Sequence, residues 1–230
     1  MPEDRLPLEI SSLDSLLGGG LDLQSLTELF GEGGSGKTNL CAHLSCRVAF
    51  RGRWVIYIDT EGLSLDRLSQ IARGMGTTAG QVLRRVLLTT PKSLEEQEAA
   101  VERACALVRR APDRFGLVIL DSATLLYRLA LGQDDEVVAR QSVSSQVAVL
   151  LHTALETSVP VLFTNQVFRD SATQQLEPIG SSFLNHAAKT VIRLERLPEG
   201  WRKATLVKHR SLPEGGTARF RLTERGIESA

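Results

Sequence analysis

Hydrophobic and polar positions along this chain follow two periods, and the switches between them mark its elements. Short runs rich in β-branched and other apolar residues predict buried strands at Leu26–Phe30, Trp54–Asp59, Val86–Thr89, Leu117–Asp121 and Pro160–Thr164. Between them the spacing turns helical: Leu40, Leu44 and Val48 form one stripe of a helix from Lys37 to about Phe50. Further helices are predicted over Ser11–Leu17, stopped by Gly18-Gly19-Gly20, and over Leu65–Arg73 and Ala79–Arg84. Pro91, Ser93 and a run of Glu open another that continues to Arg110, and a polar stretch at Gly132–Glu136 precedes one over Val137–Thr157. The end of the chain reads as antiparallel strands, Thr190–Arg196, Trp201–His209 and Ala218–Thr223, with Pro-Glu-Gly turns between them. Strands alternating with helices predict an α/β fold: a mostly parallel twisted sheet flanked by helices, with a C-terminal antiparallel extension.

With no internal repeat, low-complexity tract or long linker, the 230 residues are expected to form one domain, residues 1–230. An apolar fraction of 42% supplies a core and excludes general disorder. No apolar run approaches the roughly 18 residues of a membrane span, and the start MPEDRLPLEI lacks the apolar region of a signal peptide. Cys41, Cys46 and Cys105 form no C-x-x-C pair, so they read as reduced thiols and the expected location is the cytoplasm. His43, His152 and His186 show no metal-ligand spacing, and Trp54 and Trp201 fall in strands, as core residues would.

Charge changes the picture only locally. The chain carries 27 basic and 27 acidic residues, yet Lys189–Ala230 holds ten Lys/Arg against five Asp/Glu. That imbalance suits a polyanion partner, and it equally suits solvated arginines on a strand-rich end.

The strongest chemical signal is Gly31-Glu32-Gly33-Gly34-Ser35-Gly36-Lys37-Thr38, which fits G-x-x-x-x-G-K-[ST] between a predicted strand and a predicted helix. Such glycines let successive backbone N–H groups turn inward around phosphate oxygens, and the helix N-terminus favours the same negative charge. Lys37 would reach the β- and γ-phosphates, and the Thr38 hydroxyl would ligate Mg²⁺. A nucleoside triphosphate site follows from this motif in this context.

Strand ends beside such a loop deliver the remaining chemistry. Asp121, preceded by four apolar residues, suits a carboxylate that holds Mg²⁺ through water. Glu61, two residues past Asp59, either polarises the attacking water or caps the next helix; Gln166 either orients a γ-phosphate or simply ends a strand. No Asn-Lys-x-Asp base-reading element is present, which argues against a GTPase, and no Arg-rich lid occupies the middle of the chain, which argues against a small-molecule kinase. A RecA-like P-loop ATPase core remains.

Taken together, Ser12–Gly20, Leu26–Glu32, Asp59-Thr-Glu-Gly62, Leu120–Thr124, Tyr127-Arg128, Ala139–Gln141 and Thr164–Val167 resemble, in order, the core of the archaeal and eukaryotic recombinases. Asp59–Ser64 and Lys208–Gly215 look most like the RadB group, archaeal paralogues of RadA. The resemblance implies Glu61 as the catalytic glutamate, Gln166 as the γ-phosphate sensor and Arg67 against the adenine. It implies DNA-binding loops after Ala123, with Tyr127 and Arg128 at its start, and over Phe168–Ser182, which contains Arg169. It further implies a DNA repair and recombination accessory: a weak ATPase that binds single-stranded or branched DNA and assists RadA or a Holliday-junction resolvase.

Departures from the pattern matter as much. Only about ten residues precede the core, so no N-terminal helix-hairpin-helix domain is expected, and no Phe-x-x-Ala assembly plug occurs. The second loop sets one cation, Arg169, against Asp170 and Glu177, and Pro178-Ile-Gly-Ser181 stands where the family has Pro-Ile-Gly-Gly. Filament assembly and strand exchange are therefore not expected. The best basic cluster is Arg202, Lys203, Lys208, His209 and Arg210, with Arg219 and Arg221 on the next strand. Two roles fit it: sequence-nonspecific contact with the DNA backbone, or a cap over a neighbouring subunit's nucleotide. An alternative to the ATPase reading is a nucleotide-gated interaction module in which hydrolysis is incidental.

Overall fold

A computed structural model of the chain describes residues 4–130, 136–170, 174, 176–180, 184 and 186–229. In chain order its elements are β1 (Arg5–Leu6), α1 (Ser11–Leu16), β2 (Leu21–Asp22), β3 (Leu26–Phe30), α2 (Lys37–Phe50), β4 (Trp54–Asp59), α3 (Leu65–Gly74), α4 (Ala79–Leu83), β5 (Val86–Thr89) and α5 (Leu94–Arg110). They continue with β6 (Phe115–Asp121), α6 (Leu125–Ala130), α7 (Glu136–Thr157), β7 (Val161–Asn165), β8 (Val167–Arg169), β9 (Leu176–Pro178), β10 (Thr190–Arg196), β11 (Trp201–Lys208), β12 (Thr217–Thr223) and β13 (Gly226–Ser229).

Nine strands form one sheet in the order β13-β12-β11-β10-β3-β7-β6-β4-β5. From β10 to β5 every pairing is parallel, and from β10 to β13 every pairing is antiparallel. The central strands are buried on both faces, which is why they read as continuous apolar runs. One face packs α1–α4 around Leu29, Leu44, Tyr57, Ile119, Leu162 and Phe220; the other packs α5 and α7 around Leu26, Ile58, Leu120, Val147 and Phe163. The order matters for function, because β3, β4, β6 and β7 all end at the same edge, and the loops that leave that edge carry the candidate chemistry.

The predicted start of α5 is observed, that of α4 carries a cap not read in the sequence, and α1 begins with Ile10 at its N-cap and no side-chain cap. Ser93 accepts from the Glu96 N–H at 3.2 Å while the Glu96 carboxylate accepts from the Lys92 N–H at 2.8 Å, and Thr78 with Gln81 closes a full capping box.

Four features went unread in the sequence. The two-residue pair β1/β2, the final strand β13 and the hairpin β8/β9 are too short or too polar to show a period. Leu125–Ala130 is helical where a loop was expected, and the hairpin occupies part of the expected second loop. Within the two expected loops and the polar stretch before α7, residues 131–135, 171–173, 175, 181 and 182 lie outside the described residues. Trp54 and Trp201 are half-buried with arginines over their rings, Arg114 at 5.6 Å and Arg221 at 5.8 Å from the ring centres, and Trp54 also packs against the core. His152 and His186 are exposed, and all three cysteines are buried free thiols. Among the described residues no helix is long and apolar enough to cross a membrane.

His43 is a buried histidine with a measurable consequence. Its Nε2 donates to the Leu8 carbonyl at 3.0 Å, tying α2 to the N-terminal segment, and burial pushes its pKa down to about 4. In the unfolded chain an imidazole titrates near about 6.5, so the unfolded state gains its proton first as pH falls. Stability from this group is therefore full above that value and is lost on acidification toward the folded pKa, about 2 kcal/mol of it between pH 7 and pH 5. Urea titrations at the two pH values should show this loss in the native chain and a smaller one in His43→Gln.

Candidate nucleotide-binding site

The loop Gly31–Gly36 leaves the fully buried β3 and delivers the chain into α2. Gly31 is required by its surroundings: a Cβ there would overlap the Leu194 carbonyl oxygen on β10 and crowd Ser35 Oγ. Gly33 and Gly34 face open space, with nothing within 4 Å of where a Cβ would stand, as a loop that receives a ligand requires. Gly36 takes φ 106° at the helix start, the left-handed region that favours glycine.

Lys37 is buried, and its ammonium donates to the Gly31 carbonyl at 2.8 Å and the Glu32 carbonyl at 3.3 Å. Burial lowers its pKa, while Glu61 and Asp121 hold it up. A buried ammonium held by loop carbonyls at the start of α2 is placed to meet the negative charge of a phosphate.

Asp121 lies at the end of β6 with none of its surface exposed. Tyr57 Oη donates to its Oδ2 at 2.7 Å, Thr164 Oγ1 donates to its Oδ1 at 2.6 Å, and Thr38 bonds to it as well. Burial raises its pKa against these three hydrogen bonds. Period-two alternation explains the convergence: Tyr57, Asp121 and Thr164 all point to the sheet face on which α2 packs. One carboxylate flanked by hydroxyls at the loop's first helical turn fits a Mg²⁺ held through Thr38, water and phosphate oxygens. The described residues contain no cluster of three or more acidic, His or Cys side chains that would cage a metal by themselves.

Glu61 stands on the loop after β4. The Asp59 carboxylate shapes that loop by accepting from the N–H groups of Glu61, Gly62 and Leu63 at 3.2, 2.8 and 2.7 Å. The Asp121 carbonyl accepts from the Thr60 and Glu61 N–H groups, so the loop is pinned to β6. It is Ser64, accepting from the Arg67 N–H at 3.2 Å, that caps α3, and this leaves the Glu61 side chain for other work. Glu61 Oε1 accepts from Gln166 Nε2 at 2.7 Å, so the structure brings the two together across strands β4, β6 and β7.

On the opposite sheet face lies a second polar network that sequence reading missed. Thr124 Oγ1 donates to Asn165 Oδ1 at 2.7 Å, and Asn165 Nδ2 donates to Glu28 Oε1 at 2.8 Å and to the Ile179 carbonyl at 2.9 Å. The Ile179 N–H donates in turn to the Gln166 carbonyl at 2.9 Å. Burial raises the pKa of Glu28, which the Asn165 amide and the charge of Lys208 offset in part. A glutamate in the middle of a buried strand was the signal that could have found it.

Arg67 lies beside a recess lined by Asn39, Gln70, Glu199, Leu222 and Thr223. Its guanidinium donates to Asn39 Oδ1 at 2.5 Å, Gln70 Oε1 at 2.9 Å, and the Thr223 and Gly226 carbonyls at 2.6 and 3.0 Å. With four of its five in-plane donors engaged, the group has its flat face left to offer.

The candidate DNA residues are dispersed. Arg128 is exposed on α6, and exposed Arg169 on β8 donates to the Gln174 carbonyl at 2.8 Å and lies 3.9 Å from Glu32 of the phosphate loop. Lys203 is half-buried, 3.5 Å from Glu195 on the outer face of the antiparallel extension. Lys208 donates to the Ala188 carbonyl at 2.9 Å, and exposed Arg210 pairs with buried Asp22 at 3.3 Å. Arg202 and His209 are buried, at 8% and 9% exposure, so neither side chain stands in an open basic patch. His209 Nδ1 accepts from the Ser211 and Leu212 N–H groups and so shapes the turn after β11.

Comparison with known proteins agrees with this architecture. The family model described as Rad51 matches residues 6–230. The DNA repair and recombination protein RadB of Methanococcoides burtonii is 40% identical over 226 residues, 98% of each chain. The protein of the same description from Thermococcus kodakarensis is 39% identical over 219 residues, 94% of this chain and 96% of the relative. A crystal structure of the RadB recombinase superposes with a TM-score of 0.83 at 37% identity, covering 98% of this chain and 99% of that one.

Proposed function

The chain belongs to the Rad51 family, and from that premise we propose that it is a DNA repair and recombination accessory that binds ATP with Mg²⁺, hydrolyses it slowly and binds DNA without exchanging strands itself. The observation that carries the reading is the meeting of Lys37, Thr38, Asp121, Glu61 and Gln166 at one sheet edge, with Gln166 holding Glu61 at 2.7 Å.

In this reading the loop N–H groups and Lys37 bind the triphosphate, and Thr38 with Asp121 would hold Mg²⁺. The metal, when bound, spreads the charge of the phosphate oxygens. Glu61 Oε accepts the proton of the attacking water as its oxygen bonds to the γ-phosphorus, and the bond to the β–γ bridging oxygen breaks to leave ADP. Gln166 orients the glutamate through its amide. Tyr57 and Thr164 act through Asp121 by fixing its carboxylate. Arg67 would lie against the adenine.

A nucleotide-gated interaction module is the second reading, favoured by one observation. Gln166 ties Glu61 directly, and its neighbour Asn165 ties the Ile179 carbonyl at the end of the β8/β9 hairpin. A change at the γ-phosphate therefore has a bonded route to that hairpin. RadA and a junction-resolving enzyme are the partners against which either reading is to be tested.

DNA binding in this reading is electrostatic and modest, through Arg128 and Arg169, with Lys203, Lys208 and Arg210 supplying further charge. Arg128→Ala combined with Arg169→Ala should weaken single-stranded DNA binding about uniformly across sequences. It should also flatten the salt dependence by about one unit of log–log slope for each phosphate no longer neutralised. Fluorescence anisotropy over a salt series measures both; an unchanged slope removes these two residues from the interface.

A further inference from the structure

The side of the phosphate loop away from Glu61 and Gln166 holds two cations that the hydrolysis chemistry does not use. β11 buries alternate residues, so Arg202, Ala204 and Leu206 turn inward together. Arg202 is 8% exposed, and its Cγ and Nε lie 3.7 Å from where a Cβ of Gly36 would stand, directly beneath the start of α2. Its Nη1 donates to the Trp201 carbonyl at 2.7 Å, and among the described residues its Nε has no hydrogen-bond partner. Among the described residues no carboxylate forms an ion pair with it. The residue directly across the β10/β11 ladder is another cation, Arg196. Like charges directly opposite in an antiparallel pair destabilise it, and a buried cation without a counter-ion is costly. The arrangement makes physical sense when an anion completes it.

We propose that Arg202, with Arg196 opposite it, grips the polyphosphate of the bound nucleotide from the side of the C-terminal strands. The inference rests on the nucleotide reading of the phosphate loop. Sheet order fixes which phosphates are involved. The residues that act on the γ-phosphate arrive from β4, β6 and β7, on one side of β3, whereas β10 and β11 lie on its other side. The recess beside Arg67 and Leu222 lies on that same side, and Leu222 also stands 3.7 Å from the Gly36 Cβ position. Arg202 therefore serves the α- and β-phosphates, between the loop and the nucleoside, and does not sense the γ-phosphate.

The test measures ATP and ADP affinity with fluorescent analogues in phosphate-free buffer for the native chain, Lys37→Ala, Arg202→Gln and Arg202→Lys, together with melting curves without nucleotide. Loss of a charge-assisted hydrogen bond should weaken Arg202→Gln for ATP and ADP alike, by about tenfold or more, with their ratio unchanged. Arg202→Lys should recover part of that loss. Without nucleotide, Arg202→Gln should melt no lower than the native chain, because it removes an uncompensated charge. Native-like affinity in Arg202→Gln, with Lys37→Ala impaired, overturns this inference and leaves the nucleotide site standing. A fall in both melting temperature and affinity overturns it in favour of a packing role. Absence of nucleotide binding by the native chain overturns the site reading itself and this inference with it.

Discussion

Glu61→Gln should lower ATP turnover by about 10²- to 10⁴-fold while leaving ATP affinity near that of the native chain. The substitution is nearly isosteric, and its amide oxygen can still accept from Gln166 Nε2, so the 2.7 Å hydrogen bond between the two residues need not break. What it removes is the basic oxygen that takes the proton of the attacking water. The loop itself should stay in place, because its backbone is held by the Asp59 carboxylate and the Asp121 carbonyl and not by the Glu61 side chain. Single-turnover hydrolysis beside nucleotide binding separates the two quantities. The same variant distinguishes the two functional readings in a repair assay. An interaction module keeps its function with ATP locked in place, and a protein that depends on turnover loses it.

Gly31→Ala is the largest structural effect expected. Overpacking between fixed strands costs typically about 1–3 kcal/mol, and here the obstacle is backbone, the Leu194 carbonyl on β10, with Ser35 Oγ on the other side. The strands on either side cannot yield easily, since β3 pairs with β7 and β10 with β11. The variant should melt well below the native chain and lose nucleotide affinity at once, because the displaced loop carries the N–H groups that would receive the phosphates. Gly33→Ala and Gly34→Ala are informative controls. Neither added methyl meets anything within 4 Å, so the first should leave stability near native, while Gly34, at φ 75°, adds only local backbone strain. Thermal melts with and without ATP read the whole series.

The features that were legible in the sequence share a physical reason. Buried parallel strands must be apolar, so β3, β4, β6 and β7 stood out, and their last residues marked the edge where Asp121, Glu61 and Gln166 meet. The loop motif is legible because Gly31 and Gly36 answer to steric and backbone demands that other residues fail. Side-chain partnerships across strands were not legible. Tyr57 and Thr164 reach Asp121, and Asn165 reaches Glu28, only once the strand order β3-β7-β6-β4 is known.

The basic C-terminal stretch shows the opposite case. Arg202, Lys203, Lys208, His209 and Arg210 look like one patch because they are close in sequence, yet they serve separate places in the fold. Alternation with Ala204 and Leu206 turns Arg202 inward, and that signal was present in the sequence. His209 and Arg210 are drawn to buried Asp22 on β2, a strand too short to be seen in any period. The hairpin β8/β9 escaped notice for the same reason, with three residues in each strand.

At the heart of the proposed function is a slow ATPase whose turnover is largely independent of DNA. Its decisive test is steady-state ATP hydrolysis by the full chain, with and without single-stranded DNA and with Lys37→Ala as the blank. Slow turnover that requires Lys37 and responds little to DNA is the expected result, because the Phe168–Ser182 stretch sets one cation, Arg169, against Asp170 and Glu177 and so grips DNA too weakly to drive the hydrolysis site. Stimulation by DNA of about tenfold or more, equivalent to about 1.4 kcal/mol off the barrier, would contradict it.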